Sequence, residues 1–539
     1  MGGPFAPLAS RLFALVFVVN LTASLTVFMN GLAAAWLLTD LTRAPGAVAA
    51  LQVAVTLPGF GLALVAGALA DVVDRRRLVR FSLGAGAVVA AVFGWLSMIE
   101  AHSEVTILLL TGLLGVLTSL AAPAWMAVIP GLVPRDRLGD AMTLSSAGMS
   151  GAMAVGPALG GVIIAALGPI WVFWCNVLAF TIGVIALGLW RPAARRGLPS
   201  EHLGSAVAVG LRYLRFDRPL QITIAKIVPF AIGGTALTSL LPVLARFRLD
   251  AGPATFGLLS GAAGLGAVGA VVLLGPIRRR LGPDHLVSAA MAVQAGAMLA
   301  LASTTSVAVA FAALTVCGMT TLATVSTVMT SLQVVLPAWI RGRGIAVYLF
   351  VLQGSFTLGA VVWGMVAEQT GVAAAIAAAA VVMGVGAVLV VPLRLDRLAA
   401  TDTTPVAVLD APAVTSLHDH DGPIAVVVHW ELSRERSDRF IAAMDPVGRA
   451  LRRNGALSFQ LAQDVDDPGR LIETFTMATW GDYQRLPRRT TVGDAALHRR
   501  LIEITGADLP VPVAHRVLPS GRSWPIDDRY PERSDDHGA

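Results

Sequence analysis

The stretch Gly67-Ala68-Leu69-Ala70-Asp71-Val72-Val73-Asp74-Arg75-Arg76-Arg77 lies between two long apolar runs. Two aspartates and three consecutive arginines cannot sit in hydrocarbon without partners, and the flanking runs are each long enough to cross it. The knot therefore marks a turn at a membrane surface, and the rest of the chain can be counted outward from it.

Composition supports that reading. Of 539 residues, 55% are hydrophobic and 14% charged, and the mean hydropathy is +0.72, whereas an ordinary soluble domain carries about 25% charged residues. The formal net charge is +6. Its basic residues are scattered through short connectors rather than gathered on one face, which excludes a nucleic-acid surface and suits orientation in a bilayer. Lys226 is the single lysine, and the two cysteines, Cys175 and Cys317, both fall in apolar segments, so neither a disulfide framework nor a thiolate metal site is available.

A membrane-spanning helix needs roughly 20 mainly apolar residues. Twelve such stretches are read at 12–39, 46–70, 78–99, 105–128, 141–166, 170–190, 219–244, 254–277, 285–303, 306–333, 344–367 and 371–393. The first is too long for a signal-peptide core and reads as an uncleaved span. Alternate connectors collect arginine: Arg75 to Arg77 with Arg80, Arg135 with Arg137, Arg191 to Arg215, Arg278 to Arg280, and Arg341 with Arg343. The opposite set holds Arg43, Arg246 and Arg248. By the positive-inside rule the first set and both termini are expected in the cytoplasm, with the chain multi-pass in the plasma (inner) membrane.

The basic connectors also repeat, Arg75–Arg77 returning as Arg278–Arg280 and Arg135/Arg137 as Arg341/Arg343. Two six-helix halves follow, residues 1–190 and 219–393, joined by a polar connector at 191–218 in which Val207, Leu211 and Leu214 suggest a surface helix. Parallel halves of this kind place a substrate site near the bilayer midplane between them.

The opening stretch resembles the cytoplasmic loop signature of the major facilitator superfamily, in which a glycine, an aspartate and an arginine pair recur after the second helix. Gly67, Asp71, Arg75 and Arg76 match it, while Val72 stands where an arginine is usual and Asp74 where a glycine is usual. The resemblance implies a twelve-helix transporter fold with a gate at this loop. Gly156, Pro157, Gly160 and Gly161 in the fifth span, preceded by Gly148 and Ala152, resemble the superfamily's antiporter motif. Gly148, Ala152, Gly156 and Gly160 recur at i, i+4 and leave one face almost bare for close helix packing, while Pro157 removes a backbone donor. The motif implies efflux; a packing helix with no bearing on direction is the plain alternative. Trp36, Leu37, Thr42, Ala122, Pro123, Pro130, Leu132, Val133, Pro134, Arg135, Leu138, Ala141, Arg341, Gly342 and Arg343 look like the branch that includes the enterobactin exporter and related secretion effectors.

Polar side chains deep in the spans are costly and are binding candidates by default. Asn20, Asn30, Gln52, Asn176, Gln294, Gln333 and Gln353 qualify, each equally readable as a helix-to-helix hydrogen bond. Lys226 either snorkels to the surface or faces the cavity, where it would favour an acidic cargo. The carboxylates read near the spans, Asp40, Asp71, Glu100, Glu104 and Glu368, all fall at ends. A sparse, apolar cavity suits an amphiphilic or hydrophobic molecule.

Residues 394–423 read as a linker rich in Ala, Thr, Pro and Asp. Its His418, Asp419, His420 and Asp421 read as solvated residues rather than a metal site, and no cofactor is implied. Residues 424–518 read as an α+β domain of order β-α-β-β-α-β, with strands at 424–432, 457–463, 471–479 and 511–518. Phe440, Met444, Val447 and Leu451 mark one helical face, and Leu497, Leu501 and Ile504 the other. This ferredoxin-like unit resembles small cofactor-independent monooxygenases and the tail of the exporter branch, through Gly455, Ala456, Asp464, Pro468, Glu473, Phe475, Trp480, Arg485, Arg489 and Thr491. Tyr483 and Pro487 replace histidines of that pattern, so a dimerisation or regulatory module is expected. Residues 519–539 are polar and read as a disordered tail.

The reading is an all-α membrane transporter with a small cytoplasmic α+β domain, exporting a small molecule such as a drug, siderophore or secondary metabolite. Its partners are the lipid bilayer, the cargo, protons as coupling ion, no nucleic acid, and a second copy through the C-terminal domain. No GxxxxGK[ST] loop is present to supply ATP drive. The alternatives are a membrane-tethered enzyme or sensor using the tail domain, and an importer of the same fold. The loop near Arg278 keeps the arginines of the opening stretch and lacks its aspartate. Asp71→Asn is therefore expected to slow transport more than any single substitution at Arg278 to Arg280, and equal slowing in a flux assay would refute the asymmetry.

Overall fold

The computed structural model describes residues 6–72, 74–129, 132–134, 137–189, 214–337, 340–393, 417–418, 421–467, 469–506 and 510–517. The chain divides into two compact units, Met1–Thr401 and Asp402–Ala539.

The first unit is helical. Its first half comprises α1 (Arg11–Leu41), α2 (Pro45–Val72), α3 (Arg75–Met98), α4 (Glu104–Val128), α5 (Leu138–Leu167) and α6 (Ile170–Leu189). The second half opens with α7 (Arg218–Phe247), and closes with α10 (Val307–Val335), α11 (Arg341–Thr370) and α12 (Val372–Leu389). Between them, helical hydrogen bonding runs unbroken from Pro253 to Ser303, but Gly282 has φ 68° and ψ 164°, which only glycine adopts readily. The stretch is therefore two helices, α8 (253–281) and α9 (283–303). Twelve helices of the described chain are long and apolar enough to cross a membrane.

Short polar residues set the helix starts. The Ser10 hydroxyl accepts from the Phe13 amide at the start of α1, Ser103 and Thr106 form a capping box on α4, and the Asp217 carboxylate accepts from the Leu220 amide on α7. Val88, Leu178, Ile185 and Val388 are all more than half exposed in the isolated chain, a distribution that water would penalise and hydrocarbon covers.

In the first half α1 packs on α5 and α6, α2 on α4, and α3 on α4 and α6; in the second, α7 packs on α11 and α12, and α10 on the α8–α9 stretch. The halves meet along two principal seams, α5 against α8 and α2 against α11. The first is a glycine contact. A Cβ on Gly161 would come 2.7 Å from the Gly257 Cα, and a Cβ on Gly257 2.7 Å from the Pro157 carbonyl oxygen. The second joins Gly364 to Gly46 and Ala49, and Phe60 to Phe350 at 4.4 Å between ring centroids.

The second unit carries β1 (Ile424–Glu431), β2 (Ser458–Gln463), β3 (Arg470–Met477) and β4 (Val513–Arg516), with α13 (Ser437–Arg453), α14 (Trp480–Arg489) and α15 (Val492–Thr505). The sheet order is β2-β3-β1-β4, all antiparallel, with Val426 opposite Phe475 and Phe459 also opposite Phe475 from the other side. Alternate residues of β1 and β3 point inward onto Phe440, Met444, Val447 and Leu451 of α13. The expected order lacked one helix. Trp480, Tyr483 and Leu486, spaced by three, bury one face of α14, and the Thr479 hydroxyl caps its start by accepting from the Asp482 amide. Arg489 at its end donates to the Asn454 carbonyl and to Asp482, both at 3.0 Å, which ties α14 to the end of α13.

Glu473 on β3 is 4% exposed, and one carboxylate oxygen accepts from the Trp430 indole N–H at 3.0 Å. Burial pushes its carboxyl from 4.5 up to about 7, outweighing that hydrogen bond. The native unit then binds a proton that the unfolded chain releases between about pH 4.5 and 7. Stability is full below the lower value and falls as pH rises through the upper one, by on the order of 3 kcal/mol. Hydrogen exchange of the β1 and β3 amides in the whole chain should accelerate from pH 5 to pH 8 after correction for intrinsic rates, and Glu473→Gln should remove that dependence. A wild-type profile flat across this range would contradict it.

Candidate functional site

An apolar recess lies in the first half, a cavity of about 510 Å³ between α1, α3, α4, α5 and α6. That volume falls within the range of small-molecule sites. α1 turns Phe13, Phe17, Asn20, Ser24 and Phe28 toward it, and α4 contributes Thr118, Ala121, Ala122 and Trp125. Among the described residues the walls include no ionisable side chain. Their polar complement is hydroxyls and the Asn20 amide, and the Ser82 hydroxyl, 4% exposed, lines the recess with no hydrogen-bond partner. These positions cluster toward the end of the bundle that carries Arg75 to Arg77 and Arg278 to Arg280.

The other end is fastened. Arg246, near the end of α7, forms an ion pair with Asp40 of α1, donates to the Thr39 hydroxyl at 3.1 Å, and lies 4.5 Å over the Trp36 ring. Arg43 stacks at 5.4 Å on Phe247 beside it. Next to this latch come the Gly161–Gly257 contact and, toward mid-bundle, a 2.9 Å hydrogen bond between the hydroxyls of Thr56 on α2 and Thr357 on α11. In the sequence Asp40 reads as a span-end residue and Arg246 as a connector residue; no local signal pairs them, since 206 positions separate the two.

The described part of the opening stretch is held through Asp74 and Arg76. Of Gly67 and Asp71 only the helical backbone of α2 falls among the described features, their side chains lying outside them. Asp74 caps α3, accepting from the Arg76 and Arg77 amides. The Arg76 guanidinium donates to the carbonyls of Leu187 at 2.7 Å and Gly188 at 2.6 Å, the open end of α6. Arg75 also has a partner. In the second half Arg278 instead donates to the Ser326 and Thr327 hydroxyls of α10.

The glycine-rich face of α5 serves two neighbours. A Cβ at Gly156 would meet Phe28 and the Leu25 carbonyl at about 3 Å, and one at Gly160 would meet Met29, both on α1; Gly161 meets α8 across the seam, and Pro157 is buried.

The amides scatter. Asn20 lines the cavity. The Asn176 carbonyl oxygen accepts from Thr26 on α1 at 3.4 Å, while its amino group and the Asn30 carbonyl oxygen are buried without partners. Gln294 accepts from Thr320 at 3.0 Å, joining α9 to α10. Gln353 packs over Gly59 on the α2–α11 seam, Gln52 is half-buried on α2, and Gln333 is exposed. Lys226 corrects both expectations made for it: it is fully buried, outside the cavity wall, and ion-paired with Asp284, itself 4% exposed. Asp284 had been left out because the ninth span was read from residue 285; the break at Gly282 instead places it in the first turn of α9.

A model of the transmembrane secretion effector family matches residues 2–523. Among curated proteins, the multidrug efflux pump Tap of Mycolicibacterium fortuitum is 29% identical over 188 residues, 33% of this chain and 46% of that protein. The staphyloferrin A transporter of Staphylococcus aureus (strain NCTC 8325 / PS 47) is 24% identical over 231 residues, 42% of this chain and 57% of that protein. The chain thus spans about half the length of the curated relatives it matches. Among solved structures, a bacterial homologue of the human lysosomal transporter Spinster, inward-facing and unoccupied, aligns with TM-score 0.55 at 14% identity over 72% of this chain and 97% of that one. A POT family transporter in complex with 5-aminolevulinic acid aligns with TM-score 0.58 at 11% identity over 72% and 97%.

A partly exposed ion pair contributes under about 1 kcal/mol and an exposed cation–π contact about the same. Together they bias a two-state equilibrium by roughly five- to thirtyfold. Arg246→Ala should therefore speed amide exchange in peptides covering 36–46 and 244–252, whereas Arg248→Ala, whose guanidinium donates to the Thr304 carbonyl within the second half, should leave 36–46 unchanged. Equal rates in wild type and Arg246→Ala would dismiss the latch.

Proposed function

Because the chain belongs to the transmembrane secretion effector family of the major facilitator superfamily, we propose that this multi-pass membrane transporter exports a small amphiphilic molecule by alternating access. A drug, a siderophore or a secondary metabolite would fit. The observation that carries the reading is the 510 Å³ cavity, walled by aromatic and aliphatic side chains with hydroxyls and one amide, in a bundle fastened at its Asp40 end.

Orientation follows from charge. The end with Arg75 to Arg77 and Arg278 to Arg280 is placed in the cytoplasm of the plasma membrane, together with both termini. The Asp40 latch then closes the outside, and the cavity receives cargo from within. Release outward requires Arg246 to leave Asp40 and α5 to part from α8 at Gly161 and Gly257. The absence of ionisable groups among the described residues of the cavity wall disfavours a polycarboxylate, whose charges would lose water without gaining partners. The name of Tap supports efflux of drugs, and that of the staphyloferrin A transporter the siderophore class.

The C-terminal unit is read as a regulatory or dimerising part of the transporter rather than an enzyme, because the family match runs on through it to residue 523. Proton coupling is part of the reading and supplies the drive.

The test is flux in oriented vesicles. Inside-out vesicles carrying the protein should accumulate ethidium or a related fluorescent amphiphile when energised, and Trp125→Ala, which removes an aromatic cavity wall, should lower accumulation severalfold while Trp95→Ala, on the outer surface, should not. Accumulation in right-side-out vesicles alone would make the protein an importer.

A further inference from the structure

The one fully buried ion pair among the described residues of the first unit is used by nothing above. Lys226 is 0% and Asp284 4% exposed. Such a pair adds little stability, since removing two charges from water offsets most of their attraction, and an apolar pair of similar volume often does as well. Ionisable side chains inside a membrane-spanning bundle mark proton or ion pathways by default. The other buried carboxylate among the described residues of this unit, Asp217, is occupied as the cap of α7. Asp40 is 42% exposed and held by Arg246.

We infer that Asp284 is the proton-binding site that couples transport to a proton gradient, with Lys226 as the counter-ion that its protonation releases. This rests on the export reading above for its cargo, and on α7 for its mechanism.

α7 is fastened twice, by Lys226 to α9 near the arginine-rich end and by Arg246 to α1 near the other. Twenty residues separate the two anchors, about 30 Å of helix. Pro229 and Pro242 lie between them. Neither has an N–H, so the carbonyls of Ala225 and Thr238 lose their helical donors and the helix can bend at those points. The first bend is three residues from Lys226.

The proton step is simple. The Asp284 carboxylate takes up H⁺ from water and becomes neutral, while Lys226 keeps its charge and loses its partner. An unpaired ammonium cannot stay in an apolar interior. It must swing toward water, which frees the first anchor of α7 and lets the helix pivot at Pro229. The second anchor, at Asp40, then bears on a helix with a different tilt. Deprotonation restores the pair.

Lys226 is not the sole partner of Asp284, which holds a further contact. α10 and α12 carry no charged side chain. Among the described side chains, the titratable groups that neighbouring elements contribute are Cys317 on α10, Tyr348 on α11, the exposed His285 beside Asp284, and the Arg278 to Arg280 cluster ending α8, whose Arg278 is bonded to Ser326 and Thr327; Arg341 and Arg343 open α11 in sequence. Glu368 and Arg246 lie toward the opposite end.

The experiment reads protonation and flux separately on the full-length protein. Infrared difference spectra across a pH step should contain a protonated-carboxyl C=O band that Asp284→Asn abolishes. In proteoliposomes, Asp284→Asn should lose gradient-driven ethidium accumulation while retaining equilibrium exchange of the dye. The Lys226→Met/Asp284→Leu double variant, which keeps the site packed without charge, should behave alike and guards against a folding defect in the single change. A band that survives in Asp284→Asn, or either variant accumulating ethidium as wild type does, overturns the proposal. Wild-type ethidium flux indifferent to the gradient also overturns it and leaves export intact. A band assigned to Asp284 with no wild-type flux upholds the proton site and counts against the export reading instead.

Discussion

The closeness of α5 and α8 at Gly161 and Gly257 is the constraint on which the rest of the first unit depends. With no Cβ on either residue, backbone meets backbone across the two halves, and nothing else in that seam can substitute for the lost side chains. Water offers no competing partner in hydrocarbon, so association there rests on such fit rather than on apolar burial. The Asp40–Arg246 latch, the Thr56–Thr357 hydrogen bond and the Phe60–Phe350 pair each reach across the same plane, and all require the halves to be that near. The cavity lies within the first half, its described walls all on α1, α3, α4, α5 and α6.

Much of this was readable in the chain. Twelve apolar runs separated by arginine-bearing turns gave the span count, because a bilayer imposes length and forbids charge, and both are visible residue by residue. Gly148, Gly156 and Gly160 announced a face built for close approach. Which helix approaches was not written locally: α1 takes the Gly156 and Gly160 side, while Gly161, one position on, faces a different half of the molecule. A stripe of small residues specifies contact and leaves the partner open.

The misses have a common cause. Lys226 and Asp284 lie 58 positions apart, and a hydropathy window trims a charged residue such as Asp284 from the end of a helix before asking what it might face. Asp284 was lost by one residue for that reason, and Lys226 was left between the surface and the cavity because its counter-ion was missing. In the C-terminal unit, α14 was overlooked because Trp480 and Tyr483 were weighed against a family pattern rather than joined with Leu486 as a helical face. Their burial shows the simpler periodicity was sufficient.

α1 has a double allegiance. Its first five turns supply the cavity wall through Phe13, Phe17, Asn20, Ser24 and Phe28, and its last turn supplies Trp36, Thr39 and Asp40 to the latch. Its other flank is clasped by α5, so the helix cannot be redecorated piecemeal. Selection for a bulkier or more polar cargo would act first on the residues nearest the cavity, and any shift it forced along so stiff a rod would be felt at the far tip. Specificity and turnover in this chain are thus inherited together, and drift in one is heritable drift in the other.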